Sequence, residues 1–267
     1  MSNALSPEQL EQYQRDGYTV VPEALDADLV REAGDHVAWL QKKHPDLRPE
    51  NLHHRLVWDD PFWVRLVADE RLLELAAPII GPDIALFASH YICKPPGKGL
   101  PVLWHQDGSY WPLEPMEVVT AWLAIDDSDA QNGCMRVLPG THRPPVIRKH
   151  QRNTERANVL SSELPLAPEE AARAVDVVVP AGGISLHDPF LIHGSNPNTS
   201  ARRRCGLTIR YIPTSTRITR EWTTFLLGGE DRLQRNEYAP FPAYREGDHF
   251  PFRDRDEYER RRVRSRA

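Results

Sequence analysis

Apolar positions recur at helical spacing in the first third of the chain and at strand spacing in the rest. Ser6 before Pro7, Glu8 and Gln9 reads as a capped helix start, and Gly17 as its stop. Tyr18 to Leu25 reads as a short strand entering a turn. Leu29, Val30, Ala33, Val37 and Leu40 repeat with a helical period, and a second helical stretch spans Pro61 to Ile80 before Gly81 and Pro82 end it. Beyond Gly81 the runs are short, rich in β-formers and broken by Gly and Pro. They are Asp83 to Cys93, Met116 to Asp126, "GCMRVLPGTH", "VDVVVPAGGISLHD", "FLIHG" and "RRCGLTIRYIP". This texture predicts a mainly β protein with flanking α-helices, built as a sandwich, jelly roll or barrel rather than an alternating βαβ sheet. No GxGxxG or Walker-type glycine loop is present.

Composition narrows the function classes. The 267 residues carry a formal net charge of −5, which provides no global basic field for nucleic acid. Twenty-four prolines favour loops over long helices. Cys93, Cys134 and Cys205 are three, far apart and without a CxxC, so reduced core thiols are expected and a structural zinc site is not. The first residues lack a basic segment followed by an apolar run, and no apolar run approaches the roughly 20 residues of a membrane helix. The expectation is one cytoplasmic domain over 1–267. Residues 1–82 would form a helical buttress, 83–215 the β core and 216–267 a C-terminal extension.

One stretch carries the chemistry: "WHQDGSYWPLEP", Trp104 to Pro115. In an extended segment residues i and i+2 share a face, so His105 and Asp107 can grip one ion together while Gln106 points elsewhere. A third ligand is required, and His142, His150, His187, His193 and His249 are the candidates downstream. His193 is best placed, between an apolar "FLI" and the turn "GSNPNTS". His187, six residues earlier, is its main rival. Two histidines and a carboxylate on one face suit non-haem Fe(II) with positions left open, and zinc is the competing ion. Arg204 lies eleven residues beyond His193 at the start of the next apolar strand. Its planar fork could bind the far carboxylate of a dicarboxylic cosubstrate, and a solvated basic turn over Arg202 to Arg204 is the plainer alternative.

"WHQDGSYWP", "GCMRVLPGTH" and "HGSNPNTSARRRCGLTIRY", in that order, resemble the phytanoyl-CoA dioxygenase family of Fe(II)/2-oxoglutarate-dependent oxygenases, and the opening "LSPEQLEQYQRDGYTVVPEAL" is similar to the start of such chains. The resemblance covers roughly residues 6 to 215. It implies a double-stranded β-helix (a cupin-like jelly roll), iron ligands at His105, Asp107 and His193, and Arg204 on the 2-oxoglutarate carboxylate. Further cosubstrate contacts match Gln106, Trp122 and Ser195. It also implies Fe(II), 2-oxoglutarate and O2 as cofactor and cosubstrates. With Asp107 present it implies hydroxylation of a small organic molecule, with release of succinate and CO2, rather than halogenation.

Ser109, Tyr110 and Trp111 follow the ligand pair and are expected at the mouth of the site, with Tyr110, Trp111 and Arg136 as candidate substrate contacts. The polar interruption from Arg143 to Leu164 holds Arg143, Arg148, Lys149, His150, Arg152 and Arg156, and reads as either a lid favouring an anionic substrate or solvated surface. The charged tail from Phe252 reads as an exposed helix or loose end. Two alternative functions remain open: a cupin-like isomerase or hydrolase without 2-oxoglutarate, against which Arg204 speaks, and a non-catalytic ligand-binding jelly roll, against which the intact ligand set speaks. Oligomeric state is not set by the sequence.

Overall fold

In the computed structural model residues 4–153, 157–160 and 162–264 are described. Helix α1 (Pro7–Asp16) opens on a reciprocal cap: Ser6 Oγ accepts from the Gln9 amide, and Gln9 Oε1 accepts from the Ser6 amide. Gly17, at φ 82°, ends it in the left-handed region that only glycine enters freely. Helix α2 (Ala27–Lys43) buries Leu29, Val30, Ala33, Val37 and Leu40, the stripe read from the sequence. The expected single helix over 61–80 is two: α3 (Pro61–Val67) and α4 (Glu70–Ile80). Asp69 makes the break by turning its carboxylate onto the Arg71 amide and so capping a new helix.

Ten strands build two antiparallel sheets among the described residues. In chain order they are β1 (Tyr18–Val21), β2 (Ile84–Lys94), β3 (Val102–His105), β4 (Val119–Ala124), β5 (Met135–Val137), β6 (Val175–Val177), β7 (Ile184–His187), β8 (His193–Ser195), β9 (Arg204–Pro213) and β10 (Phe225–Gly228). The larger sheet runs β1-β7-β4-β9-β2-β10 and the smaller β3-β8-β5-β6. Together they form a jelly roll, with the helices on the outer face of the larger sheet. Both edge strands of that sheet, β1 and β10, come from outside residues 83–215. The core is therefore completed by the segments expected to flank it.

Strand β9 shows how the sequence divides the interior. All ten residues are buried, but on two different sides. Cys205, Leu207, Ile209 and Tyr211 join the main hydrophobic core beneath the helices. Arg204, Thr208 and Arg210, on the alternate face with Gly206, line a cavity between the sheets. In β4, Val119, Ala121 and Leu123 face the helices, while Thr120 and Trp122 face the cavity.

Two expectations are corrected. Cys93 and Cys205 are register partners on β2 and β9 and are paired as a disulfide, leaving Cys134 as the free thiol; the two lie far apart in sequence and meet only through strand pairing. Of the two readings of the tail, the exposed helix holds and the loose end does not. Helix α5 (Arg255–Arg264) buries Tyr258, whose hydroxyl donates to the Pro242 carbonyl at 2.7 Å, and Arg261 donates to the Ala68 carbonyl at the end of α3. No helix among the described residues is long and apolar enough to cross a membrane.

Candidate metal centre

His105 ends β3 and His193 begins β8, and the two are direct partners across the antiparallel pair. Asp107 opens the single turn that follows β3, two residues on and on the same side. Ligand atoms of His105, Asp107 and His193 all lie within 4.8 Å of one another, and all three side chains are buried. Among the described residues no other His, Cys, Asp and Glu side chains form such a group. His105 Nε2 stands 3.4 Å from Asp107 Oδ1, close to the roughly 3 Å edge expected between neighbouring ligands at ordinary metal–ligand lengths.

The tautomers are set for ligation. His105 Nδ1 donates to the Leu103 carbonyl at 2.8 Å and His193 Nδ1 to the Leu191 carbonyl at 3.0 Å, so each ring turns a bare Nε2 to the cluster. Burial, with His105 and His187 close by, pushes His193 well below its usual value and keeps it neutral. Burial alone would raise Asp107, yet the His105 and His187 rings beside it and the charge of Arg210 hold it well below the usual carboxylate range. Thr120 Oγ1 donates to Asp107 Oδ2 at 3.2 Å. His187, the rival ligand, stands 3.5 Å from that same oxygen, beside the cluster rather than in it.

The cavity continues from these ligands to a basic end. Arg204 is 2% exposed, with its guanidinium 5.1 Å from the centre of the Trp122 ring. One nitrogen donates to the Gly133 carbonyl at 3.1 Å, Nε has no partner, and no carboxylate among the described residues pairs with it. Burial lowers it to about 10, so it remains a cation near neutral pH. Lys94, its register partner on β2, is also buried, and donates to Ser195 Oγ at 2.7 Å and to the Asn196 carbonyl. Burial and the neighbouring Arg204 bring Lys94 down to about 6. A buried guanidinium with spare donors beside a hydroxyl and an amine fits a carboxylate group.

Gly206 makes room for this arrangement, since a β-carbon there would overlap the six-membered ring of Trp122. Gly206→Ala is expected to displace that ring and to destabilise the fold by about 1–3 kcal/mol, the usual range for overpacking a core. Chemical denaturation of the two proteins checks this, and equal midpoints would refute it.

Not every expected contact reaches the cavity. Gln106 faces away, as strand alternation requires. Its amide donates to the Val146 and Phe190 carbonyls and accepts from the Arg148 amide, tying the polar segment down. Trp111 packs with Phe87 and under the Arg210 guanidinium in a separate apolar cluster. Arg136 pairs with Asp176 across β5 and β6 and covers Trp104. Tyr110 stays at the rim, half-exposed, its ring 6.2 Å from His105 and its hydroxyl on Ser162. The polar segment covers the cavity with Val159 and Leu160 rather than with its charges, and Arg148 is neutralised by Glu170. Arg156 lies outside the described residues.

The sequence model of the phytanoyl-CoA dioxygenase (PhyH) family matches residues 1–206. The chain belongs to that family. It is 33% identical over 149 residues to a probable alpha-ketoglutarate-dependent hypophosphite dioxygenase of Stutzerimonas stutzeri, covering 55% of this chain and 51% of that protein. It is 26% identical over 234 residues to an ectoine dioxygenase of S. stutzeri A1501, covering 76% and 75%. The chain thus spans about half the length of the first of these relatives and three quarters of the second. Among solved structures it resembles the non-haem monooxygenase ThoJ, with a TM-score of 0.76 and 22% identity over 96% and 95% of the two chains. It also resembles EctD from S. alaskensis with 2-oxoglutarate and 5-hydroxyectoine, with a TM-score of 0.66 and 23% identity over 89% of each. Both are likenesses of fold.

Sequence reasoning missed several cavity residues of this phytanoyl-CoA dioxygenase family chain, His90, Thr120, Thr208 and Arg210, and Lys94 behind Ser195. Each lies on a strand of the larger sheet, in an apolar run where a polar residue at every second position was the available signal.

Proposed function

We propose that this chain is an Fe(II)- and 2-oxoglutarate-dependent dioxygenase that hydroxylates a C–H bond of a small organic substrate. In this reading His105, Asp107 and His193 hold the iron, and the whole chain works as one domain. The observation that carries it is the pairing, in one cavity, of a buried His/Asp/His cluster with a buried arginine that no acid among the described residues pairs with.

The bound group supplies oxidative decarboxylation of 2-oxoglutarate to succinate and CO2, coupled to insertion of one oxygen atom into the substrate. The protein's part is positioning and exclusion of water. The two backbone-anchored imidazoles and the carboxylate would hold the metal, with fewer protein ligands than Fe(II) accepts and so room for cosubstrate. Arg204, with Ser195 and Lys94, orients the far carboxylate of 2-oxoglutarate, while Trp122 forms a wall beside it. Val159 and Leu160 keep water from the reacting centre. The substrate's charge does not come from the polar segment in this account. Neutralising Arg148 and Arg152 is expected to leave substrate affinity unchanged.

Anaerobic addition of Fe(II) and 2-oxoglutarate is expected to produce a weak visible charge-transfer band, and air with a true substrate to accelerate succinate release. A metal hydrolase, an isomerase or a non-catalytic binding jelly roll would give no band with 2-oxoglutarate.

A further inference from the structure

Arg210 is the second buried arginine of the cavity. It shares the inward face of β9 with Arg204, six residues away, so their α-carbons are roughly 20 Å apart along the strand. Its surroundings are mostly neutral. Nη1 donates to His90 Nδ1 at 2.9 Å and to Thr208 Oγ1 at 3.0 Å, and the ring of Trp111 lies 5.4 Å beneath the guanidinium. Nε has no partner, and no carboxylate among the described residues forms an ion pair with it. Burial lowers it, and the one acid whose charge offsets this is Asp107. Asp107 is also the acid of the metal cluster, where its charge would be shared with the ion. His90, half-buried and next to Arg210, is held neutral by burial and by the Arg210 charge.

A buried cation that must give up its only counter-charge to a metal is costly unless an anion joins it. Arg204 answers to the same description at the other end and is assigned to the cosubstrate. The cavity therefore holds one more anion-receiving group than 2-oxoglutarate uses. It lies on the metal side, with Thr208 next to it and His187 on the cavity wall, its Nε2 3.5 Å from Asp107 Oδ2.

Building on the dioxygenase reading above, we propose that Arg210 determines substrate specificity by receiving an oxyanion of the substrate. The substrate class is then a small molecule bearing a carboxylate or a phosphorus oxyanion, bound between the metal ligands and Arg210. Arg210's planar fork suits either group through two parallel hydrogen bonds.

The test uses the full chain loaded anaerobically with Fe(II) and saturating 2-oxoglutarate. Acetate, propionate, phosphite and hypophosphite are titrated while the visible band is followed, with acetamide and propionamide as neutral counterparts. At least one anion should shift the band saturably in the wild type, and the amides should not. Arg210→Gln should weaken the anion at least about tenfold, with Arg210→Lys between the two, while the 2-oxoglutarate titration stays unchanged in both variants. Equal anion affinity in Arg210→Gln would mean an adventitious ion only and would overturn the proposal. So would amides binding as well as anions, no anion binding to the wild type, or loss of 2-oxoglutarate from Arg210→Gln, which would move Arg210 to the cosubstrate site. If the wild type gives no band, the dioxygenase reading fails. Anion protection against thermal unfolding, compared between wild type and Arg210→Gln, then still decides the role of Arg210.

Discussion

Asp107→Gly is expected to abolish substrate-stimulated succinate release and to lower metal affinity at least roughly 100-fold, the upper range seen even for residues that only support a ligand. Asp107 is the sole carboxylate of the cluster, and it balances the charge of the bound ion. Without it the site offers two imidazoles on adjacent strands, too few donors to hold Fe(II) firmly. Glycine also frees the turn after β3, so Asp107→Asn is the companion variant: it keeps the shape and removes the charge. Both are checked by competitive Co(II) titration and by succinate formation. A protein with the wild type's metal affinity and turnover after either change would show that Asp107 is not a ligand.

The second large effect is expected at Arg204. Removing one partner of a buried charged hydrogen-bond pair costs about 2–5 kcal/mol. Arg204→Gln should therefore weaken 2-oxoglutarate on the order of 10²–10³-fold. Metal affinity should be untouched, because the ligand atoms belong to β3, β8 and the turn after β3. The ligand-free protein should not lose stability and could gain some. Arg204 has no carboxylate partner among the described residues and stands beside Lys94, so its charge is a burden until an anion arrives. Band titrations and thermal unfolding with and without 2-oxoglutarate separate these effects. Unchanged 2-oxoglutarate affinity would refute the assignment. A collapse of the ligand-free fold would show that Arg204 is a structural residue instead.

Much of the centre was legible because its signals are local. His105 and Asp107 are two residues apart on a strand end, and strand geometry alone puts them on one side. The same alternation argued that Gln106 should face away, and it does; the family resemblance had suggested otherwise. Trp111 was placed near the substrate by proximity in sequence, and Arg136 because its strand was expected near the metal. Trp111 turned into an apolar cluster with Phe87, and Arg136 found Asp176 on a strand some forty residues away. Neither partner can be deduced without the strand order. Arg210 shows the opposite error. In "GLTIRYIP" it alternates with Thr208 on one face of an apolar run, a local signal that marks the face as polar but does not say what that face meets.

By itself, then, the sequence determined which segments are helices and strands, the ligand pair His105 and Asp107, and the spacing that singles out His193 and Arg204. These follow from periodicity, capping and side-chain chemistry within a few residues. Only the tertiary structure decided which faces meet. It set His193 against His105, left His187 outside the cluster, paired Cys93 with Cys205, and put Arg204 and Arg210 in one cavity, neither in an ion pair with an acid among the described residues. The reason is that strand register and sheet order join residues up to a hundred or more positions apart, and no local pattern encodes that pairing.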